Sequence, residues 1–370
     1  MALAVPPGGS PRSAPAHEPD TVLLPVAQIA PPVVRRTPSR PVGTVELTVV
    51  IVNFCQWRNT ARLVTQLRRS DAVRSGIADI TVIDNHSPSH SLTRRLTRLR
   101  GVTVRRFGRN RGFARAVNHG CEQSRGQWML LLNPDVTVAD GFLDDVLASM
   151  ERLAENEPRA GVVGFRLRNP DGSDQASSGP FPTFPNTLAG LLLPRSRRKC
   201  RHVAGPGRQA VPWVTGGCLL VRRNCFEQLG GLDERFFLYY EDADFCRRAE
   251  KHGWSVWYDP ALEVTHHWPL HARRVPAPLR LITRHALLTY ARKHWSRWQA
   301  RLLTGVVRTE AGLRRGWAWL RGDADAARCY AELGRLIGDV VRGRDGAARD
   351  RITFAAGFLE PVAAAQDGRT

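Results

Sequence analysis

The stretch FFLYYEDADFCRRAEKHGW crowds Glu241, Asp242 and Asp244 into four positions, with Arg247 and Arg248 close behind. Carboxylates that close repel one another unless a cation or a proton offsets them. Such spacing means either a solvated helix face or a site that handles protons or phosphate. A further acid, Asp135, follows the apolar run in LLLNPDV, where Pro134 withholds a backbone donor and helps end the strand. An Asn-Pro-Asp sequence can be a simple turn. It can also supply a carboxylate to Mg2+ or Mn2+, which take one or two carboxylates together with substrate phosphates.

Other segments carry weaker chemical signals. GRNRGFARAVNHG runs from Gly108 into a helix, with Arg109, Arg111 and Arg115 supplying charge and Gly112 allowing close approach of a ligand. No Gly-Lys-Ser/Thr follows, so it is not a Walker loop. The pair Gly216-Gly217 after Trp213 reads as a bulge or as a place where a ligand meets bare backbone.

The elements that must position these residues follow an α/β rhythm. LTVVIVNF is short, β-branched and continuously apolar, as a strand buried on both faces would be. Helical spacing in RNTARLVTQLRRS, SHSLTRRLTRLR and GFARAVNHGCEQS alternates with the strands DITVIDN, VTVRRF and QWMLLLNPDV. Alternation through short links predicts parallel βαβ units in an open twisted sheet. Ligands bind such sheets outside the carboxyl ends of the strands. Asn53, Asp84 with Asn85, and Asn133 with Asp135 all stand at such ends.

Residues 1–44, rich in Pro, Ser and Arg, read as a disordered arm, and 180–210 as a mobile loop. AGVVGFRLRNPDG and VPWVTGGCLLVRR read as strands, and CFEQLGGLDERF as a short helix. The main domain is expected over 45–280, in halves 45–140 and 141–280, with a helical extension over 281–350 and a tail over 351–370. Within the extension Ala291, Trp295, Trp298, Leu302 and Val306 recur at helical steps between basic residues. This predicts a helix that packs on the main domain or lies on an anionic bilayer.

Composition bounds the rest. A chain of 370 residues that is 42% hydrophobic can bury a sizeable core. It has no apolar run near the roughly 18 residues of a membrane span. Its opening lacks a secretion-signal pattern, which makes the cytoplasmic side the expectation, with peripheral attachment to the inner membrane face. Seven scattered cysteines, never in a Cys-x-x-Cys pair, argue against a disulfide framework or zinc ribbon. The formal charge of +20 implies anionic company: nucleic acid, an anionic membrane or phosphorylated ligands. No zinc-finger, helix-turn-helix or RNA-recognition signature favours the first of these.

Taken in order, IVNF, VIDNHSPSHS, NRGFARAVNHG, LLLNPDV, WVTGGCLLVRR, LGGLDERFFLYYEDADFCRR and the later GW and THH resemble the family-2 glycosyltransferases, most closely their rhamnosyltransferase-like branch. The resemblance covers roughly 47–295. It implies the GT-A fold, a Rossmann-like, mainly parallel mixed sheet flanked by helices, and an inverting transfer from a nucleotide-activated sugar. It further implies Asp242 as the base, and Glu241 as its companion at the acceptor. Asn53, Asp84, Asn110, Arg115, Asn133, Asp135, Gly217 and Arg248 would serve the donor, and Trp213 the donor or acceptor. Asp135 and His266 would hold Mg2+ or Mn2+. Asn133 stands where the wider family has the first acid of Asp-x-Asp, which leaves one acidic ligand in that motif. The donor implied is a thymidine-diphosphate deoxysugar such as rhamnose, or else a uridine-diphosphate hexose. The acceptor is a lipid-linked or cell-surface glycan, with a soluble natural product as the alternative. A basic nucleic-acid-binding protein and a catalytically dead scaffold are the competing classes.

Overall fold

The first apolar run forms strand β1, Leu47–Asn53, with all seven residues buried. Its alternate side chains serve different cores: Leu47, Val49 and Ile51 pack on one face of the sheet, Val50 and Val52 on the other. That double burial is why the run is continuously apolar. The structure is a computed structural model that describes residues 45–192, 200, 202–203, 205–268 and 275–367, all in one compact unit. The expected arm over 1–44 lies outside the described residues.

After β1 come α1 (Trp57–Leu67), α2 (Asp71–Arg74), β2 (Ala78–Asp84), α3 (Ser91–Thr97), β3 (Val102–Arg106), α4 (Phe113–Glu122) and β4 (Trp128–Leu132). Then follow β5 (Val136–Thr137), α5 (Phe142–Asn156), β6 (Ala160–Arg168), β7 (Asp174–Gln175), β8 (Ser178–Gly179) and α6 (Phe184–Leu192). Next are β9 (Gln209–Ala210), β10 (Trp213–Val214), β11 (Cys218–Arg222), α7 (Arg223–Gln228), α8 (Glu241–Lys251) and β12 (Ser255–His266). The chain ends in α9 (Ala277–His294), α10 (Arg297–Leu320), α11 (Ala324–Val341), α12 (Asp345–Gly357) and α13 (Glu360–Gln366).

The main sheet has the order β3-β2-β1-β4-β11-β6-β12-β5. Among its longer strands only β11 runs against the rest, so the sheet is mixed and mainly parallel, as expected. Side chains of α1 and α5 cover one face; those of α4, α7 and α8 cover the other. Between β1 and β4 the strand order reverses, and a crevice opens at such a point.

The structure alters three boundaries. Residues 184–192, inside the expected mobile loop, form α6; 193–199, 201 and 204 lie outside the described residues. The expected tail takes in the end of α12 and all of α13, and Asp367 beyond them accepts hydrogen bonds from Arg58 N–H (3.0 Å) and Asn59 N–H (2.9 Å) at the start of α1. A carboxylate there satisfies amides that α1 leaves open and complements its dipole. Third, the periodic run from Ala291 to Val306 is broken at Trp295 and Ser296. Ser296 caps α10 in a reciprocal capping box with Gln299, a local signal that overrides the helical spacing on either side. Trp295 turns inward and donates to Pro182 O at 2.9 Å. All seven cysteines are free thiols.

Candidate active site

A cleft of about 470 Å³ opens at the carboxyl ends of β1 and β4. From the β1–β4 half of the sheet it is lined by Asn85, Asn110, Gly112, Asn133 and Asp135, and from the other half by Gly216, Gly217, Glu241, Asp242 and His266. Two acids more than a hundred positions apart in sequence, Asp135 and Asp242, thus share one cavity.

The glycine pair joins the two sides. Gly216 N–H donates to Asp242 Oδ2 at 3.2 Å, while Gly217 O accepts from Asn133 N–H at 3.2 Å. Asp242 Oδ1 also accepts from Ala243 N–H at 2.8 Å. Asp242 lies in the first turn of α8, where backbone amides and the helix dipole favour a carboxylate. Backbone donors hold both of its oxygens, yet Asp242 still lines the cleft. Glu241, the first residue of α8, is buried beside it and lines the same space.

On the opposite wall Asp135 Oδ1 lies 3.5 Å from His266 Nε2. Gln175 directs its Nε2 at Asn169 Oδ1 (3.0 Å), so its Oε1 accepts the Nδ1–H of His266 at 2.7 Å. In the neutral ring that leaves Nε2 as a lone pair, with Asp135 Oδ1 and the amide Nδ2 of Asn133 each 3.5 Å away. Two electron-pair donors at that separation are stable when a cation or a proton lies between them. The chemistry of this donor set therefore fits a divalent cation. Among the described residues no group of three or more His, Cys, Asp or Glu forms a protein cage, which suits a metal whose remaining ligands come from a diphosphate. His267, the neighbour, pairs instead with Thr137 Oγ1 at 2.8 Å.

The strand-end residues divide into rim and support. Asn85 and Asn110 form the rim: Asn85 Nδ2 donates to Asn110 Oδ1 at 2.8 Å, and Asn85 Oδ1 accepts from Arg111 N–H at 2.8 Å. Asn53 and Asp84 are fully buried beneath, outside the cleft lining. Asn53 Nδ2 donates to Asp84 Oδ1 (3.0 Å) and Ser87 Oγ (2.9 Å), and its Oδ1 accepts from Thr60 (2.8 Å). Burial raises the Asp84 carboxyl above its ordinary range, against the hydrogen bonds from Ser87 and Asn53 and the charge of Arg106. These two residues fix the loop that carries Asn85.

Three residues expected at the site meet a different placement. Trp213 is fully buried with its indole N–H on Pro180 O at 3.1 Å, because β10 presents that side chain to the core. Arg115 pairs with Glu234 at 2.7 Å, and does not line the cleft. Arg248 is committed to Asp244 Oδ2, Leu229 O and Gly231 O, each at 2.8 Å. Asp244 is the structural member of the acid trio. Burial alone would raise its carboxyl, but His294, Arg248 and Lys293 hold it below the ordinary carboxylate range.

Sequence reasoning assigned no role to Gln175, Tyr239 or Tyr240, all of which line the cleft. Tyr239 and Tyr240 have φ of 75° and 68°. Bulky residues in that region cost about 1–3 kcal/mol each and cluster where function constrains the backbone. The turn they make delivers Glu241 and Asp242 to the cleft. Just before that turn Phe237 packs on Gly112, where a Cβ would lie 2.7 Å from Phe237 O, and Phe113 N–H donates to that oxygen at 2.6 Å. Gln175 had no motif to mark it.

The chain is similar to several known proteins. The model of Glycosyl transferase family 2 matches residues 48–230. N-acetylglucosaminyl-diphospho-decaprenol L-rhamnosyltransferase of Mycobacterium tuberculosis (strain CDC 1551 / Oshkosh) is 33% identical over 244 residues, 60% of this chain and 78% of that protein. Rhamnosyltransferase WbbL of Escherichia coli (strain K12) is 25% identical over 162 residues, 44% of this chain and 60% of that protein. Among solved structures, the mannosyltransferase PcManGT from Pyrobaculum calidifontis, in complex with GDP-Man and Mn2+, is similar with a TM-score of 0.47 at 17% identity, over 88% of this chain and 89% of that one.

Proposed function

Because the chain belongs to glycosyl transferase family 2 and is a glycosyltransferase, we propose that it moves a deoxyhexose, rhamnose in the first instance, from a nucleoside diphosphate to an acceptor hydroxyl with inversion. The observation that carries this is the shared cleft of Asp135 and Asp242, joined through Gly216-Gly217. Asn85, Asn110 and Asn133 would face the nucleotide, with Asn53 and Asp84 supporting them. Asp135 and His266 would hold a divalent cation, which supplies positive charge to the diphosphate. Asp242 would take the proton of the acceptor hydroxyl as its oxygen bonds to the anomeric carbon. The bond from that carbon to the diphosphate oxygen breaks, and its electron pair leaves with the nucleotide. Glu241 would hold the acceptor.

Donor identity is tested by thermal shift with deoxythymidine, uridine and guanosine diphosphates and their sugars, with and without Mn2+. A ligand that binds only the folded state raises its apparent stability. Deoxythymidine-diphosphate rhamnose with Mn2+ should give the largest rise. A larger rise with a uridine-diphosphate hexose would move the donor assignment, and none with any nucleotide would refute the reading.

A lipid-linked acceptor at an anionic membrane face is supported by α10. Its exposed Trp298, Leu302, Val306, Leu313, Trp317 and Leu320 recur at three-, four- and seven-residue steps, flanked by Arg297, Arg301, Arg308, Arg314 and Arg315. No helix among the described residues is long and apolar enough to cross a membrane. Such a face would lie in the interface, with arginines on lipid phosphates. Phosphatidylglycerol vesicles should sediment the protein, and Leu313→Ser with Trp317→Ser should weaken this roughly tenfold. Wild-type protein left in the supernatant at low salt would favour a soluble acceptor.

A further inference from the structure

The cleft continues past the catalytic carboxylates into the helical extension. There its walls are Phe237, Leu238, Leu279 and Ile282, with Ala356 and Leu359 contributed by and just after α12. None of these side chains is polar. Arg280 and Arg284, one turn apart on α9, line the same cleft. Both reach Glu310 of α10, Arg280 at 3.4 Å and Arg284 at 2.7 Å, and Arg314 joins them at 2.8 Å. Among the described residues, three guanidinium groups meet one carboxylate here, which leaves two positive charges in excess. Arg280 Nε is buried and makes no hydrogen bond among the described residues. On their outer side Glu310 and Arg314 border a surface groove with Val306 and Leu313, part of the exposed apolar stripe. The ion cluster thus stands between the cleft and that stripe.

An excess of half-buried guanidinium calls for a multivalent anion, and phosphates match its donor fork. An apolar wall beside it calls for an aliphatic chain. A nucleotide sugar has no use for the second feature, and a water-soluble glycan has no use for either. We propose that this arm binds a lipid diphosphate, with Arg280 and Arg284 on the phosphates and an isoprenoid-like chain against Leu279, Ile282, Ala356 and Leu359. The proposal rests on the glycosyltransferase reading of the same cleft, and gives the acceptor its chemical class and its place.

The test titrates farnesyl diphosphate into the full chain, with the donor side filled by deoxythymidine diphosphate and Mn2+, and reads binding by calorimetry. Farnesyl diphosphate should bind at least about tenfold more tightly than inorganic pyrophosphate or farnesol. Arg280→Gln should weaken it about tenfold, and so should Thr283→Phe, which adds bulk at a half-buried position lining the arm. Leu359→Ala, which removes wall without adding bulk, should weaken farnesyl diphosphate and leave pyrophosphate unchanged. All three variants should keep wild-type affinity for deoxythymidine diphosphate. Equal affinities for farnesyl diphosphate and pyrophosphate would overturn the proposal. Displacement of deoxythymidine diphosphate by farnesyl diphosphate would also overturn it, by putting both in one site. Loss of nucleotide binding alone, with farnesyl diphosphate still sensitive to Thr283→Phe, would instead count against the donor reading.

Discussion

Asp242→Asn should lower sugar transfer by about 10²–10⁴-fold, the usual contribution of a positioned base, and leave donor affinity unchanged. The reason is geometric. Gly216 and Ala243 donate one N–H to each carboxylate oxygen, at 3.2 and 2.8 Å, so the group is fixed at the cleft lining while keeping capacity to accept a proton. Asparagine can turn its carbonyl to Ala243 N–H and keep the shorter contact. It then loses only the longer one, and the melting temperature should move by a few degrees at most. What asparagine lacks is basicity toward an incoming hydroxyl. Single-turnover transfer, measured beside nucleotide affinity, separates the two effects. Transfer at the wild-type rate would remove Asp242 from the mechanism, and loss of nucleotide affinity would reassign it to the donor.

The second large effect is expected at the opposite wall. Asp135→Asn should abolish the Mn2+-dependent part of nucleotide binding and lower transfer by about 10²–10³-fold, as losing a main source of charge stabilisation does. Asp135 is the acid that faces His266 Nε2, and a neutral amide leaves a cation with one uncharged nitrogen there. Gln175→Leu should act more weakly, reducing Mn2+ affinity about 10–100-fold. It removes the acceptor that keeps the His266 proton on Nδ1, and the ring can then place a proton where the metal would bind. The measurement is the rise in melting temperature given by a nucleoside diphosphate, compared with and without Mn2+. An equal Mn2+-dependent rise in wild type and Asp135→Asn would exclude Asp135 as a ligand.

Much of the first half of the molecule was legible because its signals are local. In β1, β2 and β4 every residue is buried or nearly so, and apolar continuity records that directly. Short alternating links then allow few topologies, and these place Asn53, Asp84 and Asn133 at the same sheet edge. The division of that edge was not legible. Asn53 and Asp84 spend their polar atoms on each other and on Ser87, whereas Asn85 reaches the rim, and only the pairing partners distinguish them. Trp213, Arg115 and Arg248 were misjudged for the same reason: an aromatic ring or a guanidinium carries no mark of which neighbour it will meet.

The sequence by itself determined the α/β class, the order of the elements, the strand-end carboxylate Asp135 and the crowded acids of α8, because strand burial and helical spacing are written within a few residues of one another. Tertiary structure decided which acid does what. Asp242 and Asp244 lie about 200° apart around the helix axis, so one can face the cleft only while the other faces the protein. The choice rests with Lys293 and His294 of α9, fifty positions away, which claim Asp244. It likewise decided that α9 and α12 wall the cleft, since that contact depends on how distant helices pack and not on the pattern within either.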